Sequence, residues 1–452
     1  MTENSSGFSG AGIHTSKKNF HSYLEKKFKL SERNSTVKTE IFAGITSFMT
    51  IAYILAVIPA NLSESGMPRG AVFTATAIAS IVATLIAGFY GNLPFILAPL
   101  LGFESYFVFS IVVGMNKSWQ FALTAVFLSS VILLLLTIFK VREALFNVIP
   151  ENLKTAMVCG LGLFITFIGL ANAGIVQPGG AIVTAGDFST PGPLLALLGI
   201  IGIAILNHYK VKGAFLIVII ASTLIGIPLG VTSLPDQIFS LPPSFADTAF
   251  KFVGFSEIFS ADMAICVFIF VFMSIFNNIG TVTGLSTKAE LVDENGKVED
   301  MNKSFLADSI GSIIAGCLGS STIGTTLESS SGIAEGGRTG LTAITTSFML
   351  ILALFLSPLF LIVPAAAITP VLVSVGLSMM SSIKTVNLNE ITEAIPAFLT
   401  IVIIPLTYSI SDGIMLGILS YVIIKLVTGK AKEISIPMYI MGALFLVKML
   451  FI

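Results

Sequence analysis

The fold is decided by the stretch LPFILAPLLGFESYF, which occupies residues 93–107. Two prolines, Pro94 and Pro99, lie five residues apart in it, and Gly102 follows shortly after. Proline lacks the N–H that a helix interior needs, and its ring clashes with the preceding turn, so a continuous helix through 94–102 is disfavoured. We therefore predict an extended segment followed by a half-helix that begins after Gly102.

A second stretch, SSTIGTTLESSSG at residues 320–332, has the same character. Its hydroxyl-bearing and β-branched residues are poor helix formers, but they suit extended backbone and helix N-caps. Both stretches carry the dipeptide Glu-Ser where the helix restarts, at Glu104 and at Glu328. Non-helical backbone at membrane depth survives only where protein or a polar cavity satisfies its polar groups. The two breaks therefore point to a site inside a membrane.

The rest of the chain is mostly apolar, since 54% of its 452 residues are hydrophobic and only 11% are charged. Soluble domains carry roughly 25% charged residues. We therefore expect an all-α polytopic protein in a lipid bilayer, with about fourteen transmembrane spans. We number these spans 1 to 14, and they cover about 41–61, 70–90, 93–114, 118–139, 154–172, 192–207, 213–230, 259–279, 300–318, 321–334, 340–362, 365–383, 393–409 and 412–429.

The basic residues indicate on which side of the membrane each loop lies. Residues 1–40 hold seven of the 24 Lys and Arg residues, and most of the others lie in loops that follow even-numbered spans. Because Lys and Arg collect in cytoplasmic loops, we expect a cytoplasmic N-terminal tail at 1–40 and insertion in the plasma membrane. A last apolar segment at 430–452 can span, lie at the interface or pack against the bundle. The net charge of −1 offers no footprint for nucleic acid.

The two breaks fall in spans 3 and 10, which are seven spans apart. Interrupted spans at matching positions of two halves are the best sequence pointer to a transport site. An odd repeat of seven spans forces the halves into opposite orientations, so we predict a 7+7 inverted repeat. Carboxylates inside a bilayer cost several kcal/mol and usually mark function. The alternatives are that Glu104 is a satisfied buried acid, and that Asp308 of span 9 bonds the second break.

Span 8 adds two adjacent amides, Asn277 and Asn278, within a long apolar run. An unpaired buried amide costs about 1–3 kcal/mol, so each must bond a neighbouring helix or a ligand. Phe103 and Phe276 lie beside these polar groups and suit the face of a planar heterocycle. We expect no catalytic residues, no cofactor and no metal site, because no His or Cys accompanies the cluster.

These residues resemble the nucleobase–ascorbate transporter superfamily (NCS2), in particular its AzgA-like purine permeases. The resemblance runs from about residue 29 to 429 and is most specific in AEGGRTGLTA, residues 334–343. Other shared motifs are TEIFAGITSF at 39–48, AYI at 52–54, LAP at 97–99, ADSIG at 307–311, ES at 328–329 and PLTYSI at 405–410.

The resemblance implies a core domain, made of 41–139 and 259–362, and a gate domain, made of 154–230 and 365–429. It also implies a secondary active importer of hypoxanthine, guanine or adenine, with the proton as coupling ion and elevator-like alternating access. A homodimer through the gate domain is a further implication. The family's span-10 glutamate maps onto Glu328, which would accept N–H bonds from the base, while backbone N–H groups near 103–104 and 327–328 would donate. The expected substrate-binding residues are Glu328, Glu104, Asn277, Phe103, Leu327, Ser329, Phe276 and Tyr53.

The chain departs from the family at two places. The purine permeases usually carry Asn-Ala-Phe-Phe where this chain has Glu104-Ser105-Tyr106-Phe107, and Asp-x-x-Asp-Thr where span 8 ends in Asn277-Asn278. An Asn cannot take up a proton, so our hypothesis is that Glu104 has the protonatable role, with Glu328 as the second candidate. Two alternatives stay open: a transporter of another small planar or anionic solute on the same fold, and an intramembrane enzyme.

Overall fold

Helices form where the apolar runs predict them. A computed structural model gives the structure over residues 23–139, 150–179, 182–235, 237–292 and 301–451. The helices of spans 1 to 7 are Val37–Ile51, Ile54–Ser63, Arg69–Phe89, Leu101–Ser105, Trp119–Ile138, Glu151–Asn172, Pro191–His208 and Ala214–Gly226, and the π-helical segment Tyr106–Gly114 continues the fourth of them.

The second half of the chain repeats this pattern. A short helical turn, Phe255–Ile258, precedes span 8, and 3₁₀ turns follow spans 12 and 14 at Ser381–Thr385 and Ala431–Glu433. The remaining helices are Ala261–Lys288, Met301–Leu318, Ser329–Ala334, Gly340–Leu354, Ser357–Leu361, Ala365–Met380, Ile391–Leu406, Ile410–Val427 and Ile436–Phe451.

Eight helices of the described residues are long and apolar enough to cross a membrane, and four shorter apolar helices accompany them. The eight belong to spans 1, 2, 4, 5, 6, 8, 12 and 14, and the four to spans 3, 7, 11 and 13. Span 9 carries Lys303 and Asp308, and span 10 is only a half-helix. All fourteen predicted membrane segments therefore have a counterpart in the described part of the chain.

Both breaks are extended, as predicted, and they pair with each other. Strand β1, Leu97–Pro99, lies antiparallel to strand β2, Ile323–Thr325, with Leu97 opposite Thr325. A second small hairpin, of strand β3 (Val176–Pro178) and strand β4 (Val183–Ala185), forms in the loop after span 5. The pair of β1 and β2 consists of the two extended stretches that the fold prediction included. Two extended segments that meet at membrane depth satisfy each other's backbone groups by pairing.

Spans 1 and 8 differ from their predicted limits. Span 8 continues to Lys288 instead of ending near 279, because the more polar residues after 279 are still helical. Span 1 begins at Val37, within the predicted tail 1–40, and Thr36 caps it by accepting a bond from the backbone N–H of Thr39. Residues 1–22 of that tail lie outside the described residues.

A buried carboxylate ties the start of span 1 to the start of span 11. Glu40 is 0% exposed and accepts hydrogen bonds from the backbone N–H groups of Arg338 (2.9 Å) and Thr342 (3.2 Å). The backbone N–H of Thr339 (3.3 Å) and the hydroxyl of Thr342 donate two further bonds to the same carboxylate. Glu40 thus satisfies N–H groups that a helix start leaves without partners. This contact explains part of the AEGGRTGLTA motif structurally.

The spans pack in two groups. Span 2 packs against spans 9 and 11, and span 4 against spans 8 and 9. Span 5 packs against spans 12 and 13, and span 6 against spans 7 and 12. The C-terminal helix Ile436–Phe451 packs on span 14, and the Phe445 ring meets the Phe268 ring of span 8 at 6.2 Å. Of the three options left open for this segment, the structure supports packing against the bundle.

Candidate functional site

The two breaks are joined by more than the strand pair. Ile96 donates its backbone N–H to Oγ of Ser329 (2.9 Å), and its carbonyl accepts from the backbone N–H of Thr326 (3.0 Å). On the other side of the pair, the backbone N–H of Leu100 donates to the carbonyl of Thr322 (3.3 Å). The buried backbone groups of both breaks therefore find partners in each other, as low dielectric surroundings require.

Span 9 supports the second break from behind. Thr325 donates to Oδ1 of Asp308 (3.1 Å), which is the structural bond that the sequence allowed for this acid. Ser312 uses its hydroxyl twice, because Oγ accepts from the N–H of Ile323 and donates to its carbonyl, both at 2.9 Å. Asp308 and Ser312 hold the strand in place and do not line the cavity described next.

A cavity of about 410 Å³ lies where the half-helices begin. It is lined by residues of spans 1, 3, 5, 8, 10, 12 and 14, and it extends along spans 5 and 12 to Lys154 and Ser382. Those two residues lie at the side of the bundle where span 1 begins and where Arg338 and Lys384 are found. We call this side the basic face and the other side the opposite face. The cavity thus reaches from the crossing of the breaks to the basic face.

Glu328 provides the carboxylate of this cavity. It immediately precedes the half-helix Ser329–Ala334 and lines the cavity wall. The hydroxyl of Tyr53, from the point where span 1 is interrupted, donates a 2.7 Å hydrogen bond to Oε1 of Glu328. Tyr53 is itself 2% exposed, and its ring packs at nearly a right angle against the Phe215 ring, with the two centroids 5.2 Å apart. The carboxylate is therefore held in one orientation.

An aromatic ring and an amide complete the polar end of the cavity. Phe103 lines it and stacks on Phe270, with ring centroids 6.4 Å apart and planes at 16°. Asn277 also lines it and donates to Oδ1 of Asn278, at 3.4 Å. Gly324 is needed beside these residues, because a Cβ there would lie 2.7 Å from the Asn278 oxygen. The side chain of Phe276 lies outside the described residues.

The backbone donors at the first break are shifted from their predicted positions. The N–H groups of Phe103 and Glu104 both bond the carbonyl of Leu100, at 3.0 and 3.3 Å. A helix that starts at Leu101 leaves the N–H groups of Leu101 and Gly102 without acceptors inside the helix. Both residues line the cavity. At the second break the cavity is lined by Leu327 and Glu328, the predicted pair. Leu327 is 60% exposed.

Two predicted substrate contacts do not line the cavity. Ser329 is 0% exposed, and its hydroxyl accepts the hydrogen bond from the backbone N–H of Ile96. Glu104 is also 0% exposed and accepts a 2.6 Å bond from Nδ2 of Asn61, on the side of the half-helix away from the cavity. Its second oxygen, Oε2, has no hydrogen-bond partner among the described residues. In this structure Glu104 matches the alternative of a buried, hydrogen-bonded acid, and a direct contact with substrate stays a prediction.

Sequence reasoning missed Asn61, although it is an isolated amide in the apolar run ILAVIPANL, residues 54–62, and that isolation was a usable signal. It also missed Glu40, which was assigned to the tail. Glu335 forms an ion pair with Lys212 of the loop between spans 6 and 7.

The chain is similar to known permeases over nearly its whole length. The profile of the Xan_ur_permease family, described as a permease family, matches residues 38–416. The chain is 38% identical to the adenine permease AdeP of Escherichia coli strain K12, with 97% of this chain and 98% of AdeP covered. It is 39% identical to the guanine/hypoxanthine permease PbuO of Bacillus subtilis strain 168, with 93% and 99% covered.

A solved structure shows the same architecture. The transmembrane domain of the cyanobacterial bicarbonate transporter BicA superposes with a TM-score of 0.62 at 17% identity, over 84% of this chain and 97% of that domain. At such low identity the likeness concerns the fold alone. It confirms the predicted inverted repeat of seven plus seven spans with a core and a gate.

Proposed function

Because this chain belongs to the xanthine/uracil permease family, we propose that it imports a purine nucleobase by proton-coupled alternating access. The observation that supports the purine most directly is the Glu328 carboxylate, fixed by Tyr53 between the two half-helices. A carboxylate can only accept hydrogen bonds when ionised, so it selects a solute that offers N–H groups.

The neighbours of Glu328 suit a flat heterocycle. Phe103 offers an apolar ring, and Asn277 offers both a donor and an acceptor. The N–H groups at Leu101 and Gly102 can donate to ring nitrogens or carbonyls. An apolar cavity with a few convergent polar groups is the usual form of a small-molecule site. The names of AdeP and PbuO, an adenine and a guanine/hypoxanthine permease, support these three purines as candidates.

The position of the cavity supports an inward-facing state. We propose that the basic face is cytoplasmic, in the plasma membrane, so that the structure represents an inward-facing state. The core domain, 41–139 and 259–362, would then move against the gate domain, 154–230 and 365–429, which also offers the surface for a homodimer. The cavity lies along this boundary, since both groups of spans line it.

Proton coupling is assigned to Glu104. The residue is fully buried, has one hydrogen bond, to Asn61, and has no ion-pair partner among the described residues. An isolated carboxylate is costly in such surroundings. The neutral acid is therefore favoured in this conformation, and loss of its proton would favour another one.

An anionic solute is the weaker candidate. The half-helix start at the first break presents N–H groups, which suit anions. Glu328 lines the same cavity, and its carboxylate would repel a negative charge. The likeness to BicA does not alter this balance, because the two chains share the fold at 17% identity.

A competition panel tests the proposal. Cells that lack their own nucleobase permeases would express the chain, and uptake of labelled hypoxanthine, guanine, adenine, xanthine and uracil would be measured. We expect uptake of at least one purine, abolished by Glu328→Gln and unchanged by the matched variant Glu257→Gln in an exposed loop. The absence of uptake for every base would refute the proposed function.

A second experiment addresses the proton. Purified protein in liposomes would be given a pH gradient, and base accumulation would be compared between wild type and Glu104→Gln. Accumulation should disappear in the variant, while exchange of labelled for unlabelled base continues. Full proton-driven accumulation by Glu104→Gln would refute the assignment.

A further inference from the structure

A second, smaller cavity lies at the opposite face. Its volume is about 140 Å³, and it is enclosed by the end of span 1 and by spans 5 and 12. Much of its wall is polar, with Asn61, Glu64, Arg69, Asn172 and Thr369 among the lining residues. A water molecule needs about 10–15 Å³ of such space together with two or more polar partners. The cavity is therefore both large enough and polar enough to hold several waters.

The polar groups of this cavity connect to Glu104. Oε1 of Glu64 accepts a 2.7 Å bond from Nδ2 of Asn172, at the mouth between spans 1 and 5. Asn61 precedes Glu64 by three residues, a spacing that puts both side chains on the same side of a helix. Asn61 lines the cavity and donates to Glu104 at 2.6 Å. Glu64 is close enough to Glu104 for its charge to act there.

The half-helix Leu101–Ser105 separates the two cavities. Phe103 lines the large cavity that reaches the basic face. The next residue, Glu104, points away from it toward Asn61. Consecutive helical side chains differ by about 100° in direction, so one turn of helix presents a ring to the substrate and an acid to the other side. The unpartnered Oε2 of Glu104 is available for a proton.

We propose that the cavity at the opposite face is the proton access route to Glu104, with Glu64 as the proton-accepting group at its mouth. The proposal rests on the proposed proton coupling and specifies its path. A proton leaves the Glu64 carboxyl, passes along water and is taken up by the Glu104 carboxylate, so only O–H bonds break and form. Glu64 then regains a proton from the solvent. Asn61 is a positioning residue, because its amide holds Glu104 toward the cavity.

The electrostatics of Glu64 support this role. Desolvation by the surrounding protein raises the pKa of Glu64 to about 7, against the opposing effect of the hydrogen bond from Asn172. A group that titrates near neutral pH gives and accepts protons readily at physiological pH. The other charged or titratable groups that face it are Arg69 on the cavity wall, Tyr408 of the loop after span 13, and Glu104. The guanidinium of Arg69 bonds the carbonyl of Val363, at 2.9 Å.

The test varies the external pH. Uptake of the base identified by the competition panel would be measured in cells from about pH 5.5 to about pH 8.5, a range that brackets the pKa of Glu64. Exchange of the same base would be measured in liposomes at equal pH on both sides. Wild type should show accumulation that falls as the external pH rises through about 7.

Glu64→Gln should lose this pH step and accumulate roughly tenfold less base, while its exchange rate stays near that of wild type. Glu64→Asp keeps a carboxyl and should restore the step, and Glu257→Gln is the matched control on the same face. Asn61→Leu should also alter the pH profile without abolishing exchange.

The outcomes separate the route from the function on which it rests. If Glu64→Gln kept the pH dependence and the accumulation of wild type, the route would be overturned and the transport function would stand. Exchange without any proton-driven accumulation in wild type would overturn the route as well, together with the coupling. A wild type that exchanges no base would refute the transport function itself.

Discussion

The backbone N–H of Ile96 donates a 2.9 Å hydrogen bond to Oγ of Ser329, and both groups are fully buried. Ile96 directly precedes strand β1 of the first break, and Ser329 opens the half-helix after the second. One serine hydroxyl therefore links the two interrupted spans. Without it, this buried N–H would lose the acceptor that satisfies it.

Replacing this hydroxyl should destabilise the protein. Ser329→Ala removes the acceptor of a buried N–H, and an unsatisfied buried donor costs about 1–3 kcal/mol. We expect a lower melting temperature of the purified protein in detergent, measured by scanning fluorimetry. Ser330→Ala changes the adjacent, partly exposed residue and is the matched control. Equal melting temperatures for the two variants would contradict the proposed link.

Loss of the Tyr53 hydroxyl should weaken binding of the base. Tyr53→Phe leaves the ring in place but removes the 2.7 Å bond that orients the Glu328 carboxylate. Hydrogen bonds to charged groups contribute about 1.5–3 kcal/mol, so affinity should fall by one order of magnitude or more. Competition binding to purified protein measures the change. Tyr90→Phe, at a residue 58% exposed, should have no effect, and unchanged affinity in Tyr53→Phe would show that the bond does not orient Glu328.

Glu40 should contribute strongly to stability. Glu40→Gln replaces a charged acceptor of three backbone N–H groups and a hydroxyl with a neutral amide, whose NH2 group donates instead of accepting. We expect a loss of about 2–3 kcal/mol, seen as a lower melting temperature. Glu32→Gln, in an exposed pair with Lys29 at 3.2 Å, should cost little. Similar melting temperatures for both variants would mean that Glu40 is not the anchor of spans 1 and 11.

The acid stability of the protein should depend on Lys430. The hydrogen bond from Lys430, with one from Thr392, lowers the pKa of Glu390 below its ordinary value of 4.5. A depressed carboxyl pKa stabilises the fold above the unfolded value, and this contribution disappears as the pH falls through the folded value. Lys430→Ala should therefore lower the melting temperature at pH values above about 4.5 and converge with wild type below it. Lys432→Ala, at an exposed position, should follow the wild-type curve throughout.

Local signals made the breaks predictable. Pro94 and Pro99 prevent regular helix within a few residues of themselves, and a hydroxyl-rich run has a similar effect in span 10. Gly102 does not break the helix, because the half-helix already begins at Leu101. The length of each apolar run is also a local signal, and it predicted most span limits to within a few residues. Span 8 was predicted too short because its apolar run ends near residue 279, whereas the helix continues to Lys288 and brings Asn277 and Thr281 to the cavity wall.

Long-range contacts were beyond the reach of the sequence. Neither break indicates that the other will be its β-partner, since strand register depends on how the two halves meet. The direction of Glu104 depends on where its half-helix starts: at Leu101 the ring of Phe103 faces the cavity and the acid faces Asn61. A shift of one residue would exchange these roles, because neighbouring helical positions point in different directions.

The pairing of Leu97–Pro99 with Ile323–Thr325 has a consequence for selectivity. Neither half-helix can slide past the other without breaking the backbone bonds between the strands, so in the proposed transport cycle the two breaks would move as one rigid piece. A solute would then keep its contacts with the residues of both breaks whichever compartment it came from, and only its contacts with spans 5, 12 and 14 would change. The part of the selectivity that the two breaks provide should then be identical for influx and efflux.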